Sequence, residues 1–217
     1  MSNNDSFIEE VTEEVRRDRL FALMRRYGWI AILAVVLLVG GAAYNEWRKA
    51  RDAAAAEALG DAILSALDQP DSAARVAALQ EINVSGDARI AKNMILANEA
   101  GAGGDSKTAV AALQTLAQDE SLPQIDRDLA QLKILMLEDA SVDKATRQAM
   151  LEKLAIPGAP FRLLAEELQA AMLIKDGDKT AAIAKLQDVF SDSEASNGMR
   201  QRVSQLIVAL GGQLEAS

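Results

Sequence analysis

The chain has 217 residues, 50% of them hydrophobic and 25% charged, and a net charge of −9 without a single histidine or cysteine. The missing imidazoles and thiols remove the usual zinc, haem, thiolate and Ser-His chemistries, and exclude a disulfide framework and a lipoprotein anchor. The acidic balance argues against a nucleic-acid partner, whose phosphates require a basic stripe.

Residues 1–27 read as a leader on the cytoplasmic side of a membrane. Asp5-Ser6-Phe7-Ile8-Glu9 fits a capping box, with Ser6 as N-cap and Glu9 three residues on. Phe7 or Ile8, Val11 and Val15 then recur at helical spacing, with Glu9, Glu10, Glu13 and Glu14 on the other faces. Glu13 and Arg17 make a favourable pair one turn apart, whereas Glu14 and Asp18 repel. The plain reading is a solvated helix that precedes Leu20, Phe21, Leu23 and Met24 at the interface. The sharper one is a docking helix for a membrane partner.

Residues 28–44, Gly28-Trp29-Ile30 through Ala43-Tyr44, contain no charge over seventeen positions. As a helix they reach roughly 26 Å at ~1.5 Å per residue, the short end of what a ~30 Å hydrocarbon core requires. The flanks supply the rest. Arg25 and Arg26 snorkel to the headgroups, and Tyr27, Trp29, Tyr44 and Trp47 settle at the interfaces. The segment therefore predicts one transmembrane helix, anchored by Trp29, Ile30, Leu33, Val36, Leu37 and Val39.

Five arginines precede it (Arg16, Arg17, Arg19, Arg25 and Arg26), and three basic residues follow closely (Arg48, Lys49 and Arg51). The positive-inside rule thus favours a cytoplasmic N-terminus. A cleaved signal peptide is the rival: Trp29 to Val39 has the length of an apolar h-region, and Gly41-Ala42-Ala43 suits a signal peptidase. Against it stands an n-region of 28 residues bearing six carboxylates.

Residues 45–217 are expected to form an all-α domain. Six of the 32 carboxylates and five of the 23 basic residues lie before it, leaving it a net charge of −8. That charge disfavours close adhesion to anionic lipid as well as nucleic acid. Phe161 and Phe190 are its only aromatics beyond Trp47, so its core must be alanine, leucine and isoleucine. A short signature recurs: Ala78-Leu79-Gln80-Glu81-Ile82, Ala112-Leu113-Gln114-Thr115-Leu116, Met150-Leu151-Glu152-Lys153-Leu154 and Lys185-Leu186-Gln187-Asp188-Val189. Its leucines stand 34, 38 and 35 residues apart, and alternate units match better still at an offset of 73. Arg89-Ile90 then aligns with Arg162-Leu163, Ala97 with Ala170, and Leu113-Gln114 with Leu186-Gln187.

A period near ~34 residues is that of tetratricopeptide helix pairs. The predicted helices are 46–68 and 72–83, 88–100 and 106–118, 125–139 and 143–155, 161–175 and 179–190, and a lone closing helix, 197–211. Pro70, Pro123, Pro157 and Pro160 fall between elements, and Asp71, Asp87, Asp105, Asp143, Asp178 and Asn197 are placed as N-caps. Met199, Val203, Leu206, Ile207 and Leu210 form one stripe on the closing helix, which is expected to cap helix 179–190. The fold class is therefore a single transmembrane helix followed by an α-solenoid of degenerate tetratricopeptide-like pairs with a C-terminal cap. An irregular helical bundle is the alternative.

No residue set points to catalysis, a cofactor, a metal or a small-molecule substrate. Gly101-Ala102-Gly103-Gly104-Asp105-Ser106-Lys107-Thr108 resembles a phosphate-binding loop, but Ser106 replaces the glycine before Lys-Thr and a helix precedes it where a strand is needed. Lys179-Thr180-Ala181 repeats Lys107-Thr108-Ala109 in a later unit, the behaviour of repeat architecture. Asp176-Gly177-Asp178-Lys179-Thr180 opens like a calcium loop, yet its sixth position is Ala181 and its twelfth Gln187.

Phe7-Ile8-Glu9-Glu10-Val11, the run Glu13-Glu14-Val15-Arg16-Arg17-Asp18-Arg19 and Arg25-Arg26-Tyr27-Gly28, leading directly into the apolar segment and degenerate repeats, resemble the YfgM-like family of bacterial inner-membrane proteins. These are ancillary subunits of the SecYEG translocon. The resemblance implies a cytoplasmic N-terminus, a periplasmic tetratricopeptide-like domain, and partnership with the Sec translocon and membrane-anchored periplasmic chaperones. It carries over no catalytic residues. A membrane-tethered scaffold for cell division or secretion-system assembly is the alternative function, because the same domain type serves those processes.

Overall fold

The computed structural model describes residues 3–137 and 142–214, and every regular element among them is a helix. The first, α1 (Asn3–Leu67), is continuous where the sequence predicts a leader helix, an anchor helix and a further helix from 46. Nothing between them breaks it. No proline occurs before Pro70, and an isolated interior glycine such as Gly60 costs only about 1 kcal/mol. Ser6 consequently lies within the helix, already formed at Asn3, and does not cap it. The helix stops just ahead of Pro70, whose ring disfavours helical geometry at Gln69.

The chain divides into two compact units, Met1–Ala58 and Leu59–Ser217. In the first, every described residue from Met24 to Ala58 is exposed apart from Gly28. The second begins with the last turns of α1 and continues through α2 (Ser72–Glu81), α3 (Ala88–Ala102), α4 (Ser106–Ala117), α5 (Gln124–Met136), α6 (Lys144–Leu154), α7 (Arg162–Lys175), α8 (Lys179–Ser191) and α9 (Asn197–Ala209).

From α2 onward each helix packs on its successor, and α5 also meets α7. This nearest-neighbour packing is what stacked helix pairs require. The four signature leucines sit at its centre: Leu79, Leu113, Leu151 and Leu186 are at most 1% exposed. Ile63 and Ala66 of α1 join the core around Leu79 and Leu113, so the last turns of α1 act as the first helix of the first pair. At the far end α9 caps the stack as expected. Met199, Val203 and Ile207 are buried against Leu186 and Val189 of α8, with Leu206 and Leu210 beside them.

Carboxylate caps fix the starts of the second helices, α2, α4, α6 and α8. Asp71 accepts the amide of Ala74, Asp105 that of Thr108, Asp143 that of Thr146 and Asp178 that of Ala181, at 2.8 to 3.0 Å. Two predicted caps differ. Asp87 already has right-handed helical backbone angles and makes no capping bond, because the turn is set one residue earlier at Gly86 (φ 61°). Asn197 is the first residue of α9, and the extended Ser196 caps it through the amide of Met199.

The 73-residue repeat is written into the ion pairs. Arg89, at the start of α3, binds Asp119 at 2.8 Å and reaches Ser121 in the turn after α4. Arg162, at the start of α7, binds Asp192 at 2.8 Å and Glu194 at 2.7 Å in the turn after α8. The corners correspond as well: Gly104 and Gly177 have φ of 81° and 84°, and each precedes a capping aspartate.

Truncating a signature leucine removes a buried side chain that its surroundings cannot replace. Leu186→Ala should therefore destabilise the domain by about 2–5 kcal/mol, whereas Leu64→Ala, at a site 62% exposed, should stay within about 0.5 kcal/mol. Urea denaturation followed by circular dichroism checks both. Equal effects would contradict the assignment of the repeat core.

The turn and cap carboxylates also predict acid behaviour. Asp119 is held below the ordinary carboxylate range by the Ser121 hydroxyl and then its amide; Asp192 is held there by the Glu194 amide and then Arg162. Asp105 and Asp143 are lowered in the same way by Thr108 and Thr146. A depressed folded pKa contributes stability that is complete above the unfolded value, about 3.9, and is lost as pH falls through the folded value. The melting temperature should thus be insensitive to these groups between neutrality and about pH 5 and fall below about pH 4. Asp192→Asn should weaken that acid dependence, which a melting series across pH would reveal.

Candidate interaction groove

The first helices of three pairs, α3, α5 and α7, together with the closing helix α9 frame two crevices. The one between α3 and α5 has a volume of about 270 Å³; its walls are Ala97, Asn98, Gly101 and Ala102 on one side and Lys133, Met136 and Leu137 on the other, with Leu113 among its lining residues. Small residues on α3 give it depth, and a side chain at Gly101 would already touch Leu137. The second crevice, about 430 Å³, lies among α5, α7 and α9 and is lined by Leu132, Met136, Leu164, Leu168, Ala171, Ile174 and Leu206, with Leu186 contributed by α8. Met136 lines both, so the crevices adjoin.

Helical periodicity explains why apolar side chains meet water here. Ile125, Leu129, Leu132 and Met136 fall on one stripe of α5. Only Leu132 of the stripe is buried: Ile125 is 51% and Met136 64% exposed. Leu164 on α7 adds a further exposed apolar group. At the edge, Glu167 accepts two hydrogen bonds from the Arg202 guanidinium, both 2.6 Å, and this fork ties α9 to α7. The pairing raises the Arg202 pKa, so its charge is fixed at every working pH.

The crevices are related by the 73-residue repeat. Asn98 corresponds to Ala171, Gly101 to Ile174, Leu113 to Leu186 and Lys133 to Leu206. They are one architectural site built twice: the first carries Asn98 and a Lys133 charge unpaired among the described residues where the second has Ala171 and Leu206, and the second carries the mutually neutralising Glu167 and Arg202 where the first has Met94 and Leu129.

The predicted anchor residues lie elsewhere, on α1. Trp29, Ile30, Leu33, Val36, Leu37 and Val39 are between 46% and 67% exposed, so none is used in a protein core. Arg25 and Arg26 are exposed as well, Arg26 lying 5.9 Å from the Tyr27 ring centre. At the end of the segment, the Tyr44 and Trp47 rings meet tilted at 6.0 Å between centres, and Arg51 lies 5.7 Å from the Trp47 ring centre. The stretch beginning at Met24 is the one described helix long and apolar enough to cross a membrane.

The phosphate-loop lookalike is a helix corner: Gly103 ends α3, Gly104 turns, and Asp105 places its own carboxylate on the Thr108 amide at the start of α4, where an anion would sit. Among the described residues no cluster of acidic groups is arranged to hold a metal ion.

Sequence reasoning did not find the groove. Met136 continues the apolar spacing of Leu129 and the buried Leu132, and only the course of the neighbouring helices leaves it uncovered. The alignment at offset 73 holds the one available signal, since it sets Lys133 opposite Leu206.

Stacked helix pairs with an open groove define the class: a helical-repeat scaffold for protein–protein interaction. The chain matches the tetratricopeptide repeat-like domain family over residues 24–211 and belongs to it. The match begins ahead of the charge-free segment and so takes in the apolar stretch of α1. Neither the curated proteins nor the solved structures contain a match to it.

Proposed function

We propose that this protein is a non-enzymatic adaptor held in the bacterial inner membrane by residues 28–44, with residues 1–27 in the cytoplasm and the repeat domain, 45–217, in the periplasm. The observation that carries this reading is the wholly exposed apolar stretch of α1 joined to a repeat unit whose functional surface is a groove. Exposed apolar area of that extent is unfavourable in water and satisfied in a bilayer. The five-to-three distribution of basic residues around the segment supports this orientation. Likeness of the leader to the YfgM-like family supports the Sec translocon and membrane-anchored periplasmic chaperones as partners in handling secreted proteins.

The physics suits an adaptor. One span confines the groove to the membrane surface, which raises its effective concentration toward membrane-bound partners. The acidic domain is repelled by anionic headgroups and stays available to protein.

Affinity purification of the intact, mildly crosslinked and detergent-solubilised protein, followed by mass spectrometry, tests the assignment. Translocon subunits and a periplasmic chaperone should be enriched over a control carrying only residues 1–50. Enrichment of division or secretion-system proteins in their place would move the adaptor to that process.

A further inference from the structure

We infer that the groove receives a segment of a partner protein bearing an apolar side chain together with a carboxylate, the apolar group entering the crevice of α5, α7 and α9 and the carboxylate meeting Lys133 beside α3. This rests on the interaction-scaffold reading and assigns the chemistry of the partner at that scaffold's groove.

The duplicated crevices carry it. At equivalent positions the second presents Ala171 and Leu206, and the first presents Asn98 and Lys133. Glu167 and Arg202 in the second neutralise each other, so the pair is bipartite, with a pocket of no net charge and mostly apolar lining next to one offering an ammonium and an amide. The cation is free to act. Arg202 is occupied by Glu167, but among the described residues the Lys133 ammonium has no hydrogen-bond or ion-pair partner, although the residue is half-buried against the crevice wall. Among the described residues, Lys133, Arg202 and Glu167 are the charges lining the two crevices, so this described lining carries one net positive charge on a chain of net charge −9. An anion is thus drawn to this place and repelled from most others.

Spacing favours one ligand over two. Lys133 and Met136 are neighbours on one face of α5, ~5–6 Å apart at their Cβ atoms, and Met136 borders both crevices. Two or three residues of an extended segment span that distance. Exposed Met136 and Leu164 supply apolar area that such a side chain would cover.

The test uses the full-length protein in phosphatidylcholine nanodiscs, with empty nanodiscs as the blank. The probe is fluorescein-labelled Gly-Ser-Leu-Phe-Leu-Asp, read by fluorescence anisotropy. It is compared with its C-terminal amide, with the asparagine analogue, and with a peptide carrying both changes. At least one carboxylate should improve affinity about tenfold over the doubly neutral peptide, the scale of a charge-assisted contact; the two single changes tell a side-chain from a C-terminal carboxylate. Lys133→Gln should abolish that advantage while leaving the neutral peptide's affinity unchanged. Met136→Gln should weaken every peptide, and Lys107→Gln, on the exposed start of α4, none. Charged and neutral peptides binding alike, an unaffected Lys133→Gln variant, absence of peptide binding, or competition by phosphatidylglycerol vesicles would overturn the inference. Failure here with partner co-purification intact removes only the groove chemistry. Intact peptide binding without co-purification removes only the adaptor assignment.

Discussion

The second unit depends on covering one leucine in each helix pair. Leu79, Leu113, Leu151 and Leu186 lie on the second helices and are sealed by helices adjacent in the stack. A pair that buries its leucine only with a neighbour's help must stack, and a stack needs ends. The last turns of α1 meet this need at one end and α9 at the other. With so few aromatics, the core reaches its density by close approach of alanines such as Ala100, Ala130, Ala165 and Ala170, all 0% exposed. The same economy leaves the groove open: small α3 residues and uncovered α5 side chains create crevices where bulkier residues would have closed them.

Most of this order was readable before the structure. Prolines and capping aspartates placed the starts of α2 and of α4 to α8 within about two residues, because those signals act locally on the backbone. Asp87 and Asn197 misled because a cap is defined by the backbone angles of the residue itself, and Gly86 and Ser196 control those angles here. The continuity of α1 was hidden for a related reason. A stretch without breakers is compatible with one helix or several. The groove was hidden on different grounds: exposure at Met136 and isolation at Lys133 are properties of neighbouring helices, not of the residues.

The repeat also explains how a binding surface can arise without new architecture. Duplication across 73 residues gave two equivalent corners, two equivalent arginine-to-turn ion pairs and two equivalent crevices. The corners and ion pairs kept their chemistry, since both hold a pair of helices closed. The crevices did not, because Leu113 and Leu186 already satisfy the core beneath them and the residues above are free to differ.

The central claim is that one apolar segment of α1 separates a leader from an interaction scaffold across a membrane. The absence of cysteine allows a direct measurement, because a single introduced thiol is the only group a maleimide will label. In intact spheroplasts treated with a membrane-impermeant maleimide, Lys107→Cys should be labelled at once and Asn4→Cys only after lysis. The reverse pattern, or labelling of both before lysis, would contradict the account.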